Sequence, residues 1–319
     1  FTPDQFSFTD SGLSYYQNYK YKLTVVGFGS ETRPSNSVNI LPGPGKIWVL
    51  SRYGYSVSEL SYDLNHIKKT YYTNFPAINW DWNLEIPELW FANAQFRSVS
   101  RMKLQSGYED FIYEDHLTRP IDINWSPQAQ AAFVLDDRLD NQNDHIYMIQ
   151  NQTVSDSIVL PSAHFFKILT TPHSGLLALD SNRVLHFSGS GFLRDSIPLP
   201  DNYRGTDMMI DKDYLYILAK DAPASESMII QINLSDFSQN EIRFSGDFAI
   251  FTKNDILSYF WASENLGGNS SRLVKLSSEG HRLLELNSLS GEIDDININP
   301  HDNSIILVQR YRNNVVLYD

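Results

Sequence analysis

The stretch IDINWSPQAQAAFVLDDRLDNQNDHIYMIQNQTVSDSIVL (121–160) decides the fold. It holds four short runs, IDINW (121–125), AAFVL (131–135), IYMI (146–149) and SDSIVL (155–160), parted by clusters of Ser, Pro, Asp, Asn and Gln. Runs of this length, rich in Val, Ile, Leu, Tyr and Phe and bounded by turn formers, read as strands joined by hairpins. Long helical periodicity is absent from the chain.

The second run recurs as KIWVL, ELWFA, GLLAL, YLYIL, DILSYF and SIILV, with equivalent positions at Trp48, Leu89, Phe133, Leu177, Leu215, Leu257 and Ile306. The third recurs as VSEL, RMKL, VLHF, IIQI, LVKL and VVLY, anchored at Leu60, Leu104, Ile149, Phe187, Ile232, Leu276 and Tyr318. Both registers give seven units with a period of a little over forty residues. A repeat of that length with four short strands is the signature of a β-propeller blade. The expected fold is all-β: a seven-bladed β-propeller of four-stranded antiparallel blades over residues 42–319. Six first strands and six fourth strands are found. The first unit lacks its innermost strand unless SVNIL (37–41) supplies it, and the last stops at Asp319 before its outer strand.

Residues 1–41 do not fit the repeat. A D-x-G-L turn at Asp10–Leu13, an alternating strand with Tyr19, Tyr21, Leu23 and Val25 on one face, and Pro-Ser-Asn-Ser-Val at 34–38 resemble the C-terminal part of a fibronectin type III domain. Those last strands cannot bury a core alone. Gly27-Phe28-Gly29 begins like a dinucleotide loop but lacks a third glycine and a following helix, and it reads as a turn. PGPG (42–45) forms a stiff junction to the first blade.

The units IDINWSPQAQAAFVLD (121–136) and ININPHDNSIILVQRYRNNVVLYD (296–319) resemble blades of bacterial NHL-type and YncE-type propellers. That resemblance implies a binding or scaffolding module rather than an enzyme, placed outside the cytoplasm. A propeller behind a fibronectin-type module is similar to bacterial cell-envelope proteins, lipoprotein-like ones among them, which implies protein partners in a surface or periplasmic complex.

Composition narrows the field further. Among 319 residues, 25 Lys and Arg face 38 Asp and Glu, a net charge of −13 with no basic run to grip a phosphate backbone, so nucleic acid is not an expected partner. The absence of cysteine removes thiol catalysis, disulfides and thiolate metal sites. No apolar run reaches the ~18–20 residues of a membrane span, and residues 1–10 lack the pattern of a secretion signal.

No nucleophile elbow, phosphate loop or H-E-x-x-H motif occurs, and no catalytic, cofactor or metal residue is assigned. His164, His173 and His186 share one unit and would be the start of an alternative, a metal-dependent propeller lyase or hydrolase. Their places at a blade entrance, a hairpin turn and a third strand instead suit packing and surface roles. Trp80, Trp82, Trp90, Phe91 and Trp125 suggest a glycan-binding propeller as another alternative, although wedge-shaped gaps between blades also need large side chains. Sequons at Asn151, Asn233 and Asn269 are as many as chance supplies in a chain this rich in Asn and Ser.

In an up-and-down blade, the loop between the second and third strands emerges on the same face as the connection to the next blade. DDRLDNQND (136–144), KDAPASES (220–227) and ASENLGGNSS (262–271) read as long loops there. They carry Asp136, Asp137, Asp140, Asp144, Asp221, Glu226 and Glu264, which are the expected partner-binding residues. The same Asp and Asn residues in 136–144 also suit a solvated turn or calcium contacts, though the spacing and central glycine of an EF-hand loop are missing.

Overall fold

In a computed structural model, residues 46–318 are described apart from 53, 62–63, 84–85, 114–115, 139–141, 163, 173–174, 222, 224, 255–258, 299–303 and 310–313; of the first 45 residues, only 19–21, 26–27, 30–31 and 38–40 are described. Seven sheets follow one another along 46–318, five with four strands and two with three. Every sheet is an antiparallel meander, its strands in chain order. This is the expected seven-bladed propeller, and its second and third strands lie where the two repeat registers put them, except that Leu104 directly follows its strand and Leu257 lies outside the described residues.

The three-stranded blades are the first, Lys46–Ser51, Ser56–Ser61 and Ile67–Tyr72, and the last, Ile293–Ile298, Ile305–Gln309 and Asn314–Tyr318. SVNIL does not fill the inner position of blade one. Its residues Val38–Ile40 pair antiparallel with Tyr19–Tyr21 in a separate two-stranded sheet. Most of the segment expected to resemble a fibronectin type III domain lies outside the described residues.

Each blade is glued to the next by side chains that alternate along its second strand, because successive residues of a strand point to opposite faces. In blade five, Leu215, Ile217 and Ala219 enter a cluster with blade four, whereas Tyr216 and Leu218 enter one with blade six. Blade three divides the same way, Ala132 and Val134 toward blade two, Phe133 and Leu135 toward blade four. Six clusters fill the six successive seams from blade one to blade seven. Burial on both faces explains why these strands read as unbroken apolar runs, and each large side chain so enclosed contributes about 1.5–3 kcal/mol.

The innermost strands are Asn79–Asn83, Pro120–Ser126, Lys167–Thr170, Tyr203–Asp211, Phe248–Asn254 and Ile293–Ile298. Four carry a one-residue bulge near their start, between Pro120 and Asp122, Gly205 and Asp207, Phe248 and Ile250, and Ile293 and Asp295. A bulge twists a strand locally and re-aims the next side chain. No helix among the described residues is long and apolar enough to cross a membrane.

Candidate functional site

The face bearing the blade-to-blade connections is built as the topology requires. Asp137 N–H donates to the Arg119 carbonyl and Asp144 N–H to that of Ser162, so the two ends of the 137–144 loop lie against the connections on both sides of blade three. In blades five and six, Gly246 N–H reaches Ser225 and Asn265 N–H reaches Asp247 on the same face.

Two of the three long loops prove to be hairpin arms. In blade five the strands run to Asp221 and resume at Glu226; in blade six they run to Gly267 and resume at Ser270. The polar stretch Ser263-Glu264-Asn265 carries no apolar signal of a strand, yet it pairs residue by residue with Ser271–Leu273. The turn at Gly268 and Asn269 has φ of 63° and 60°, the left-handed values of a tight hairpin.

The expected partner-binding residues divide into braces and displayed groups. Asp136 is fully buried and accepts the N–H groups of Thr118 (2.9 Å) and Arg119 (2.6 Å), with Arg138 Nε 3.5 Å away. Asp144, also fully buried, accepts Arg138 N–H (3.1 Å) and Phe165 N–H (2.8 Å). Glu264 is buried between Arg272 and Arg282. Asp221 accepts Ser225 and Glu226 N–H groups and the Ser225 hydroxyl, closing its turn. Glu226 accepts the Tyr203 hydroxyl and sits 3.5 Å from Arg243. Asp137 pairs with Arg119 at 3.1 Å, near the surface. Asp140 lies outside the described residues.

Burial raises the Asp136 carboxyl to about 6 against the opposing Thr118, Arg119 and Arg138 contacts, and it raises Asp144 as well. His145, at the start of the adjoining strand, is lowered by burial and by Arg138. Above them Arg138 donates to the Tyr147 hydroxyl at 2.6 Å. Blade three therefore presents a compact charged cluster held rigidly from below, the kind of perturbed group that marks functional surfaces.

The axis holds a second polar row that sequence reasoning missed. Asp81 accepts Trp125 N–H (2.5 Å), Asp122 accepts Ile168 N–H (2.7 Å), Asn124 accepts Thr170 N–H (2.8 Å) and Asp207 accepts Phe251 N–H (3.3 Å). Each bond joins an innermost strand to that of the next blade. The pattern places Asn79, Asp122, Lys167, Asp207, Ile250 and Asp295 at one level in blades two to seven. Neighbours at that level touch: Asn79 donates to Asp122, and Lys167 to Asp207. Burial raises Asp122 to about 7 despite Ile168 N–H and Lys167. Burial opposes the charge on Lys167, but Asp207 beside it holds its pKa above the usual lysine value. Asp295 is open to solvent yet surrounded by enough protein for desolvation to raise its carboxyl. The signal was present in the sequence as a polar residue recurring at one place in INWDW, IDINW, FKILT and DMMI.

The other candidates fall into packing roles. Trp90 and Trp125 stack at 5.5 Å in the seam between blades two and three, both buried. Trp82 meets Trp48 edge-on at 5.1 Å, and with Trp80 it packs on the seam between blades one and two. His186 is buried in a third strand beside Phe237, His164 is exposed at a blade entrance, and His173 lies outside the described residues. Among the described residues no three His, Cys, Asp or Glu side chains are grouped to hold a metal ion.

Comparison with solved structures identifies the same architecture elsewhere. The chain is a seven-bladed β-propeller. It is similar to a structure of Kuenenia stuttgartiensis hydrazine synthase, with 13% identity over 86% of this chain and 92% of that one and a TM-score of 0.69. It is also similar to the β-propeller domain of Myceliophteria thermophila Cps50 (Swd1), with 13% identity over 88% and 98% and a TM-score of 0.66. A chain in a nidogen/laminin complex matches at 15% identity over 73% and 90%, with a TM-score of 0.51. No family model matches the chain, and no curated protein does. The narrower likeness to NHL-type and YncE-type propellers thus rests on the blade pattern alone.

The expectation that the chain is not an enzyme is corrected by these matches, since one propeller of this shape belongs to a synthase. That expectation came from analogy between folds, and a fold hosts both binding and catalysis. At 13% identity the match carries the fold and not the activity.

Proposed function

We propose that this propeller is a protein-interaction module that binds its partner through the connection-bearing face, centred on blade three, as a subunit of a complex at a bacterial cell surface or in the periplasm. The observation that carries the reading is the bracing of the 137–144 loop. Asp136 and Asp144 spend their oxygens on backbone N–H groups of residues 118, 119, 138 and 165, which anchors the two ends of the loop before any partner arrives. A loop held in advance loses less conformational entropy on binding. Asp137, Arg138, Asp221 and Glu226 then offer charge of both signs on that face. A chain of similar fold in a nidogen/laminin complex supports the reading at the level of fold. Placement outside the cytoplasm rests on the blade pattern and on the resemblance of 8–40 to a fibronectin type III segment.

Replacing 137–143 and 222–225 by Gly-Ser segments, with Asp136, Asp144, Asp221 and Glu226 kept, tests this. Loss of the proteins retained by the unaltered chain, with the altered chain still folded by circular dichroism, is expected. Retention of the same proteins overturns it.

A further inference from the structure

In five of the blades, the third-strand residue three places before the repeat anchor meets an apolar residue of the outer strand. Val57 pairs with Tyr71 in blade one, Ile146 with Ile158 in blade three and Ile229 with Ile242 in blade five, and Val184 and Leu273 hold the same place in blades four and six. In all five, the outer-strand residue enters the seam with the following blade. The third-strand members are fully buried, each at 0% exposure.

Blade seven departs from this pattern. Its third strand, Asn314–Tyr318, puts Val315 at that place, where it is only half-buried, and no strand among the described residues pairs with its outer edge. Val308, which pairs with Val315, is half-buried too, whereas Leu135, Leu179 and Leu218 hold its place in blades three to five and are fully buried. Six seams contain an apolar cluster, but among the described residues none fills the seam between blades seven and one. An apolar strand with a bare edge is a template for pairing. What fits here is an outer strand that turns an apolar side chain toward blade one.

The run Gln5-Phe6-Ser7-Phe8-Thr9 has that form. It alternates polar and apolar residues, the pattern of a strand with one covered face. The same order occurs in Glu241-Ile242-Arg243-Phe244-Ser245 of blade five's outer strand, where Ile242 and Phe244 are buried and the residues between and beside them are exposed. We propose that residues 5–9 supply the outer strand of blade seven, pairing antiparallel with Asn314–Tyr318 and setting Phe6 against Val315, so that a segment preceding the first blade closes the ring. The proposal is independent of the binding face on blade three.

Hydrogen exchange of the full chain, read residue by residue by NMR, tests this. Amides of 5–9 are expected to be protected, together with those of 315–318 that point away from Ile305–Gln309. In a Phe6→Ser/Phe8→Ser chain both sets are expected to lose at least tenfold in protection, and amides of 228–232 in blade five less. Fast exchange throughout 5–9 in the unaltered chain overturns the proposal. Protection of the outward 315–318 amides without 5–9 overturns it as well, since a second copy or another strand then covers that edge. So does a folded variant in which those outward amides keep their protection. If the variant fails to fold, nuclear Overhauser contacts of the unaltered chain decide. Contacts from the Phe6 or Phe8 ring to the Val315 methyls support the proposal, and contacts from both rings to other blades alone overturn it.

Discussion

The Asp81 carboxylate accepts the Trp125 backbone N–H across 2.5 Å, joining two innermost strands that lie one repeat apart. An innermost strand is a sheet edge, and its N–H groups have no ladder partner on the axial side. Side-chain acceptors from the preceding blade supply one. Asp81→Ala leaves a half-enclosed N–H unpaired and is expected to cost about 1–3 kcal/mol. Asp81→Asn keeps an acceptor oxygen and is expected to cost less, with both read from urea midpoints.

Trp90 fills the seam between blades two and three, stacked on Trp125 and 2% exposed. Trp90→Ala opens a cavity that rigid blades cannot collapse into, and a loss of about 3–5 kcal/mol is expected. Calorimetry of the variant checks the magnitude.

Two glycines with positive φ separate conformational strain from steric clash. Gly268, φ 63°, has nothing within 4 Å of an added Cβ, so Gly268→Ala is expected to cost about 1–2 kcal/mol through backbone conformation alone. At Gly246, φ 123°, an added Cβ collides with Glu264 Oε1 and lies 2.8 Å from the Phe248 ring. Gly246→Ala must displace the Glu264–Arg282 pair as well, and a clearly lower thermal midpoint than that of Gly268→Ala is expected.

Stability as a whole is expected to fall between pH 5 and pH 8. The folded carboxyls of Asp122 (about 7) and Asp136 (about 6) exceed the ordinary aspartate value of 3.8, so the folded state holds protons that the unfolded state has released. The stabilisation from such groups is full below the unfolded pKa and declines as pH rises to the folded one, by up to ~1.4 kcal/mol per unit for each proton. His145 and His186, lowered by burial, oppose this fall up to the ordinary histidine value, and Asp221 and Glu285, whose carboxyls are lowered by hydrogen bonds, act oppositely only as pH falls below the ordinary carboxylate range. Urea unfolding at three pH values tests the sign.

Blade count and strand order were legible because two apolar registers repeat at the spacing of one blade, and burial on both faces demands apolar residues at Leu89, Phe133 and Leu215. The loop lengths of blades five and six were not legible, since strand pairing through Glu264 and Asn265 uses backbone groups and leaves no side-chain signature. Acidic residues at strand ends looked displayed for a related reason. Asp136 and Asp144 stand among turn formers, and only the three-dimensional path brings the 118–119 and 165 amides to them. The axial row was hidden by register: one bulged residue in four blades shifts Asp122, Asp207 and Asp295 out of simple alternation.

The most direct test of the binding face is photo-crosslinking from single positions on opposite faces of the disc. A crosslinker at Asp137 or Pro223, on the connection-bearing face, is expected to capture the partner, while one at Asp236, in the turn between the third and fourth strands of blade five, captures none. Capture from Asp236 with none from Asp137 or Pro223 would contradict the account.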